Sequence, residues 1–114
     1  MIMTSELTME NLLREMNYKS ASDLYLSVGS VPSLRVDDNI VPIGNTLLTE
    51  DMIRSLVIEV VDSRQYAQFE HDKELNTSIY MDEKGRFRIN LFYQRQKIGA
   101  VIRKIKSNIP SIES

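Results

Sequence analysis

The side chains of this chain that are best suited to chemistry are basic ones, clustered in its last third. Residues 84–106 contain eight lysines or arginines and no acidic residue, although the whole chain has a net charge of −2. A guanidinium group always carries its charge and presents a planar fork of donors, so arginines held on a rigid strand form a good receiver for an anion. The pattern predicts that a negatively charged group meets this segment.

Alternation between residues 85 and 105 predicts a hairpin with one polar and one apolar face. The polar face of its first strand carries Arg86, Arg88, Asn90 and Gln94. The apolar face carries Phe87, Ile89, Leu91 and Tyr93. Arg103 interrupts the apolar run that begins at Ala100, and it would destabilise the fold if it were buried without a partner. Taken alone, the cluster favours a solvated strand face, since basic residues are mostly exposed.

Residues for self-contained catalysis are not found in the sequence. It has no Gly-x-x-x-x-Gly-Lys-Ser/Thr loop, so phosphate binding in the manner of a P-loop is not expected. His71, the only histidine, is interpreted as a surface residue, which leaves the hydroxyl side chains without an activating base. Glu70, Asp72 and Glu74 are interpreted as a solvated face, because a carboxylate metal site needs converging oxygen ligands. We predict no catalytic residue and no metal site in this segment.

Length and composition fit one soluble domain of 114 residues. Hydrophobic residues make up 42% of the chain and charged residues 26%, unlike the composition of a disordered chain. The lack of cysteine excludes disulfides, and the net negative charge argues against a nucleic-acid partner. No apolar run is long enough to span a bilayer and no signal-peptide pattern is visible, so the sequence predicts a cytoplasmic protein.

The apolar periodicities predict an α+β domain in which helices pack on an antiparallel sheet. Helices are predicted at 5–17, from Thr49 onward, and at 63–72. Strands are predicted at 23–28, 34–36, 40–43, 75–81, 86–94 and 98–105. The predicted core includes Leu24, Leu26, Leu56, Phe69, Phe87, Leu91 and Ile102.

Several local expectations accompany these elements. Ser5 and Thr8 are both suitable caps for the first helix, and Pro42 restricts its strand to a sheet edge or a strand end. The helix at 63–72 is expected to pack through Tyr66, Ala67 and Phe69. Asp23 is interpreted as a strand-start residue that bonds its own turn.

Several separate motifs, in order along the chain, resemble the type IV pilus retraction ATPases of the PilT/PilU family. The matching segments are A-S-D-L-Y-L-S-V-G at 21–29, L-R-V-D at 34–37, G-R-F-R-I-N at 85–90, V-I-R-K-I at 101–105 and N-I-P-S-I-E at 108–113. Pro32, Gln65 and the Phe69-Glu70 pair also fall at the family's spacing. The resemblance covers the whole chain, and segments 92–95 and 107–110 are more similar to the PilU branch.

Three positions depart from the family pattern. Tyr25 stands in place of the usual histidine and Val31 in place of the first of two prolines, and both changes are expected to affect packing only. Asp38 stands where the family often has glycine. Asn39 tolerates a left-handed conformation, and the sequence leaves open whether it provides the left-handed residue of this turn in place of the glycine.

The resemblance implies that residues 1–107 form a PAS-like N-terminal domain. Residues 108–114 would then begin a linker to a RecA-like ATPase core that this sequence does not include. The parent protein would be a hexameric motor for pilus retraction and twitching motility, using ATP and magnesium. No cofactor is expected for this segment alone.

In such motors, arginines of the N-terminal domain complete a nucleotide site between subunits. By match to the family motifs, Arg88 and Arg103 are the first candidates to reach the phosphates, and Arg86 and Arg95 are the next. The implied partners are the protein's own ATPase core, neighbouring copies in a homohexamer, a paralogous retraction ATPase and the pilus platform protein. The implied location is peripheral, on the cytoplasmic side of the inner membrane.

Two other functions remain open. One is a PAS-like sensor that binds a small molecule inside its own core. The other is a purely structural oligomerisation module, in which the basic hairpin pairs with an acidic neighbour such as the 70–74 region. Residues 59–83 contain seven acidic side chains against only Arg64 and Lys73, and they are expected to meet the basic end either within the fold or between subunits.

The first testable expectation is that the 114-residue chain alone does not hydrolyse ATP, because it lacks a P-loop. A pure preparation should release phosphate only at the background rate in a steady-state assay. Release above background that is unchanged by replacing Arg88 and Arg103 with alanine would contradict this prediction.

Overall fold

The computed structural model of the protein describes residues 7–81 and 84–105. The three helices are α1 (Met9–Tyr18), α2 (Glu50–Ile58) and α3 (Ser63–Asp72). The six strands are β1 (Asp23–Ser27), β2 (Ser33–Val36), β3 (Asn39–Pro42), β4 (Glu74–Met81), β5 (Gly85–Gln94) and β6 (Lys97–Lys104). The predicted linker at 108–114 lies outside the described residues, as does Ser5.

All six strands join one antiparallel sheet in the order β3-β2-β1-β6-β5-β4. The predicted α+β class with helices packed on an antiparallel sheet is confirmed, whereas its designation as PAS-like stays a prediction. Pro42 lies in β3 at the edge of the sheet, as expected for a residue that has no backbone N–H to donate to a second neighbour.

Each helix begins at a side chain that satisfies a free backbone N–H group. The hydroxyl of Thr8 caps α1 and that of Thr49 caps α2. The carboxylate of Asp62 caps α3, where Gln65 completes a reciprocal capping box. These caps fix where the helices start, and the apolar stripe of each helix determines which face meets the sheet.

The core lies between the helices and one face of the sheet. All seven predicted core residues are buried, and Phe69 and Phe87 are among the largest of them, with no exposed surface. The prediction for Ala67 is wrong: it is exposed on the outer side of α3, whereas Phe69 and Tyr66 face the protein. Alanine is compatible with either helix face, so its apolar side chain gave no reliable signal.

Two hairpin turns are built from non-glycine residues with positive φ. Asp37 and Asp38 (51° and 69°) join β2 to β3, and Arg95 and Gln96 (53° and 67°) join β5 to β6. Positive φ at both central residues matches the twist of the flanking strands and gives a tight two-residue connection. Asn39 does not take over the first turn, because it already lies in β3.

Phe87 provides the test of this strand register. Phe87→Ala should lower the free energy of unfolding by about 3–5 kcal/mol, because it empties a fully buried site. The matched control is Tyr80→Ala on the neighbouring strand, whose side chain is 64% exposed and should matter little. Chemical denaturation measures both. A loss below about 1 kcal/mol for Phe87→Ala would mean that the ring faces water and the register is wrong.

Candidate anion-binding face of the sheet

The face of the sheet opposite the core is polar. Directly paired residues of antiparallel strands point to the same side, so the register aligns one side chain from each strand in a single row. From β4 to β3 the row is Ser78, Arg88, Arg103, Asp23, Arg35 and Ile40. Three of the protein's arginines therefore lie in one line across the sheet, with one carboxylate among them.

Arg88 and Arg103 occupy directly paired positions on β5 and β6. Arg88 is exposed, and within residues 7–81 and 84–105 it forms no hydrogen bond or ion pair. Two like charges directly opposite each other on a sheet repel, so the arrangement destabilises the free domain. An anion bound between them would relieve that repulsion, which makes the pair a candidate anion-binding site.

Arg103 has a partner that the sequence did not reveal. Its Nε donates to the Oδ1 atom of Asp23 at 2.9 Å, and this hydrogen bond raises the pKa of the Arg103 guanidinium. The Arg103 side chain is 69% exposed, while that of Asp23 is only 6% exposed. Arg103 is therefore not buried without a partner, because strand alternation points it to the open face.

Asp23 does more than close its own turn. The local contact expected from the sequence is present, since the Ser22 hydroxyl donates to its Oδ2 atom at 3.0 Å. The cross-strand contact with Arg103 is the addition, and it joins residues 80 positions apart in the chain. Asp23 is thus a central member of the polar row and not only a turn residue.

Tyr25 also belongs to this polar group, so the expectation that it affects packing only is wrong. Its hydroxyl lies 3.5 Å from Oδ2 of Asp23, and its oxygen beside Arg35 raises the pKa of that guanidinium. Arg35 in turn lies 3.7 Å from the carboxylate of Asp38 in the β2–β3 turn. Sequence reasoning missed Arg35 because nothing local shows that β2 brings it level with Arg103.

The two secondary candidates lie in different places. Arg86 is exposed on the same face as Arg88, about 7 Å away along β5 by the rise of a strand. Arg95 lies in the turn at the far end of the hairpin, about 23 Å from Arg88 by the same measure. The structure therefore groups three of the four predicted arginines and separates Arg95 from them.

Aromatic side chains support the hairpin from both sides. On the open face, the ring of Phe92 covers Gly99 so closely that a Cβ atom there would lie 2.6 Å from it. On the other face, Tyr93 stacks on Phe69 with the ring centroids 4.9 Å apart. The Tyr93 hydroxyl donates to Glu70 at 2.8 Å and lowers the pKa of that carboxyl group. A hairpin fixed in this way can present charged groups with little freedom.

The side chains of the described acids in the middle of the chain, at positions 59–81, hydrogen-bond to the hairpin through Tyr93 and not through its basic residues. None of the ion pairs formed by the described residues joins an acid at positions 59–81 to a basic residue of β5 or β6. The His71 side chain is 86% exposed. In the described parts of the chain, no group of histidine and acidic residues is placed to hold a metal ion. No helix in these parts is both long and apolar enough to cross a membrane.

The chain is similar to two pilus proteins of Pseudomonas aeruginosa. It is 38% identical over 104 residues to the type IV pilus ATPase PilU, an alignment that covers 91% of this chain and 27% of PilU. It is 34% identical over 95 residues to the type IV pilus retraction ATPase PilT, covering 83% of this chain and 28% of PilT. The chain thus spans about a quarter of the length of these relatives. No protein-family model matches it.

The chain is also similar in structure to solved ATPases. A crystal structure of the pilus retraction motor PilT with bound ADP superimposes with a TM-score of 0.85 at 29% identity, covering 95% of this chain and 32% of that one. The ATPase DotB of Legionella pneumophila superimposes with a TM-score of 0.75 over 92% of this chain and 30% of its own. DotB is only 19% identical, so it supports the fold alone.

Fold and sequence together define the chain as a homologue of the N-terminal domain of the type IV pilus retraction ATPases. The resemblance stated from the sequence motifs is thereby confirmed. Within that class, the chain is more similar in sequence to PilU than to PilT.

The contacts within the polar row predict that replacing Asp23 and replacing Arg88 change the stability of the domain differently. Asp23→Ala should lower the free energy of unfolding by about 1–2 kcal/mol, because a buried carboxylate loses its charge-assisted hydrogen bonds. Arg88→Ala should leave the unfolding transition unchanged or slightly raise its midpoint, since it removes a like charge opposite Arg103. Denaturant titration of the two variants compares them. An equal loss for both would contradict this assignment of contacts.

Proposed function

We propose that this chain is the N-terminal domain of a hexameric type IV pilus retraction ATPase and acts in twitching motility. In this role it packs on its own RecA-like core and donates arginines to the nucleotide site between subunits. The observation that carries the proposal is the pair formed by Arg88 and Arg103 on the open face. Within the described residues, Arg88 has no partner and Arg103 uses only its Nε atom.

The chemistry of phosphoryl transfer explains what such a pair contributes. Negative charge is distributed over the oxygens of the transferring phosphoryl group, and a positioned guanidinium stabilises that charge. The ATPase core would bind ATP and magnesium, while this domain would add positive charge from across the subunit boundary. Its arginines lie on strands backed by a packed core, so the backbone positions from which they extend are fixed when the site closes.

The positions of the arginines on the open face suggest which of them can reach the phosphates. Arg88 and Arg103 are the proposed phosphate ligands, and Arg86 is close enough to reach the same nucleotide. Arg95 is proposed to contact a different part of the interface, because the hairpin length separates it from the pair.

The relatives support the proposed role in a pilus ATPase. PilU and PilT are type IV pilus ATPases, and the PilT structure holds ADP. We assign the protein to the cytoplasmic side of the inner membrane, peripheral to the pilus machine. Neighbouring copies, a paralogous retraction ATPase and the pilus platform protein are its proposed partners. The higher identity to PilU favours that branch.

One observation favours the structural alternative as a second function. Inside the described fold the acids of α3 form no ion pair with the basic residues of the hairpin, although Glu70 accepts a hydrogen bond from Tyr93. Such ion pairs can form between the hairpin of one copy and α3 of another. The sensor alternative has less support. The groove of about 600 Å³ between α1 and the β2–β3 turn is open to solvent, whereas a small-molecule sensor needs an enclosed apolar pocket.

The test uses the full-length protein. Arg88→Ala and Arg103→Ala should each lower ATP turnover by about 10³-fold, the effect of removing an arginine supplied across an interface. The lysine variants should recover little of this loss, because a point charge cannot reproduce a planar two-pronged contact. Arg64→Ala is the matched control, since it removes an exposed arginine of α3 away from the row.

Turnover, hexamer fraction and domain melting are measured on the same variants. The proposal expects turnover to fall while the hexamer persists. If assembly fails before turnover does, the oligomerisation function is the correct one. If both alanine variants hydrolyse ATP at the parent rate, arginine donation is wrong.

A further inference from the structure

We infer that Asp23 is a positioning residue for Arg103, holding its guanidinium by Nε so that the two terminal nitrogens face the phosphate of a neighbouring subunit. This inference rests on the proposed function and deepens it. The observation behind it is the 2.9 Å contact between Arg103 Nε and Asp23 Oδ1 in the middle of the polar row.

Asp23 has the properties of a fixed anchor. It is the only buried charged residue in the part of the chain that the structure describes, with 4% of its surface exposed. It lies on β1, which is paired on both sides, with Arg35 opposite on β2 and Arg103 opposite on β6. Its second oxygen accepts from the Ser22 hydroxyl, and the Tyr25 hydroxyl lies nearby. A buried carboxylate that has both oxygens engaged has little freedom to turn away.

The hydrogen bond to Asp23 is made by Nε of Arg103, and this determines where the rest of the guanidinium points. Arginine carries five N–H donors in a rigid plane, and Nε supplies only one of them. A hydrogen bond at Nε therefore fixes the plane and leaves the four N–H groups of the terminal nitrogens free for a bidentate phosphate contact. The Arg103 side chain is 69% exposed, so this end faces solvent in the free domain.

Asp23 also sets the distance between the two proposed phosphate ligands. Arg88 and Arg103 are directly opposite and repel each other. The carboxylate lies on the far side of Arg103 in the row and attracts its guanidinium, which offsets the energy of that repulsion and draws Arg103 away from Arg88. Without Asp23, we expect Arg103 to leave its orientation while remaining charged and exposed.

The first experiment is a cycle of substitutions in the full-length protein. Asp23→Ala should lower kcat by about ten- to a hundredfold with little change in the KM for ATP, because a misdirected arginine loses contact mainly in the transition state. Asp23→Asn keeps an oxygen acceptor of the same shape and should recover a large part of kcat. In the Arg103→Ala background, Asp23→Ala should cause no further loss, since both changes remove one function.

A matched control separates positioning from stability. Asp62→Ala removes the N-terminal cap of α3 and also destabilises the domain, but it does not contact Arg103. If Asp23 were merely structural, both aspartate variants would reduce turnover in proportion to their loss of melting temperature, and the loss from Asp23→Ala would add to that of Arg103→Ala. That result would overturn the inference.

The second experiment uses the 114-residue chain and detects the Nε–H protons of its arginines by NMR. The signal of Arg103 should exchange with water more slowly than that of Arg88, and this protection should disappear in Asp23→Ala but persist in Asp62→Ala. Equal exchange at Arg88 and Arg103 in the parent chain would show that Asp23 does not hold the Nε–H group of Arg103 in solution.

The outcomes also distinguish the inference from the proposed function. If Arg103→Ala abolishes turnover while Asp23→Ala lowers kcat no more than Asp62→Ala, only the positioning role is wrong. If Arg103→Ala turns over ATP at the parent rate, arginine donation is wrong and the positioning role is overturned with it.

Discussion

The pairing of β1 with β6 is the constraint on which the rest of the structure depends. Each half of the sheet is formed by strands that follow one another closely, β1 to β3 on one side and β4 to β6 on the other. Only the β1–β6 ladder joins them, and its register places Leu24 opposite Ile102 in the core and Asp23 opposite Arg103 on the open face. A shift by one residue would exchange the two faces, placing a guanidinium in the core and an isoleucine in water.

Local signals in the sequence were sufficient for the elements, whereas the choice of Arg88 and Arg103 came from the resemblance to the pilus ATPases. Capping residues such as Thr49 and the alternation through Phe87 predicted helices and strands within a few positions of their observed bounds. The β5–β6 register follows from the tight turn at Arg95 and Gln96, which pairs residues outward on both strands until Arg88 meets Arg103. The sequence did not predict this turn, because neither residue type favours positive φ.

The remainder depends on contacts between distant parts of the chain. Nothing near Asp23 in the sequence indicates that Arg103, 80 positions away, is its partner. The sequence therefore predicted only the contact of Asp23 with its own turn, which Ser22 provides. The roles of Tyr25 and Arg35 depend on the same long-range register. Propensity and periodicity describe which face a residue occupies, whereas the neighbour it meets across the sheet is decided by topology. The homology to PilU and PilT was recognised from motifs without this knowledge.

The tight β5–β6 turn also has a consequence for the order in which the domain folds. Closing a short hairpin loses far less chain entropy than joining strands from opposite ends of the sequence, so the β5–β6 hairpin is favoured to form before β1 docks. Arg88 and Arg103 then meet as an uncompensated pair of like charges, and the carboxylate that balances them arrives late. The residues that receive the phosphate in the proposed motor therefore repel each other until β1 pairs with β6.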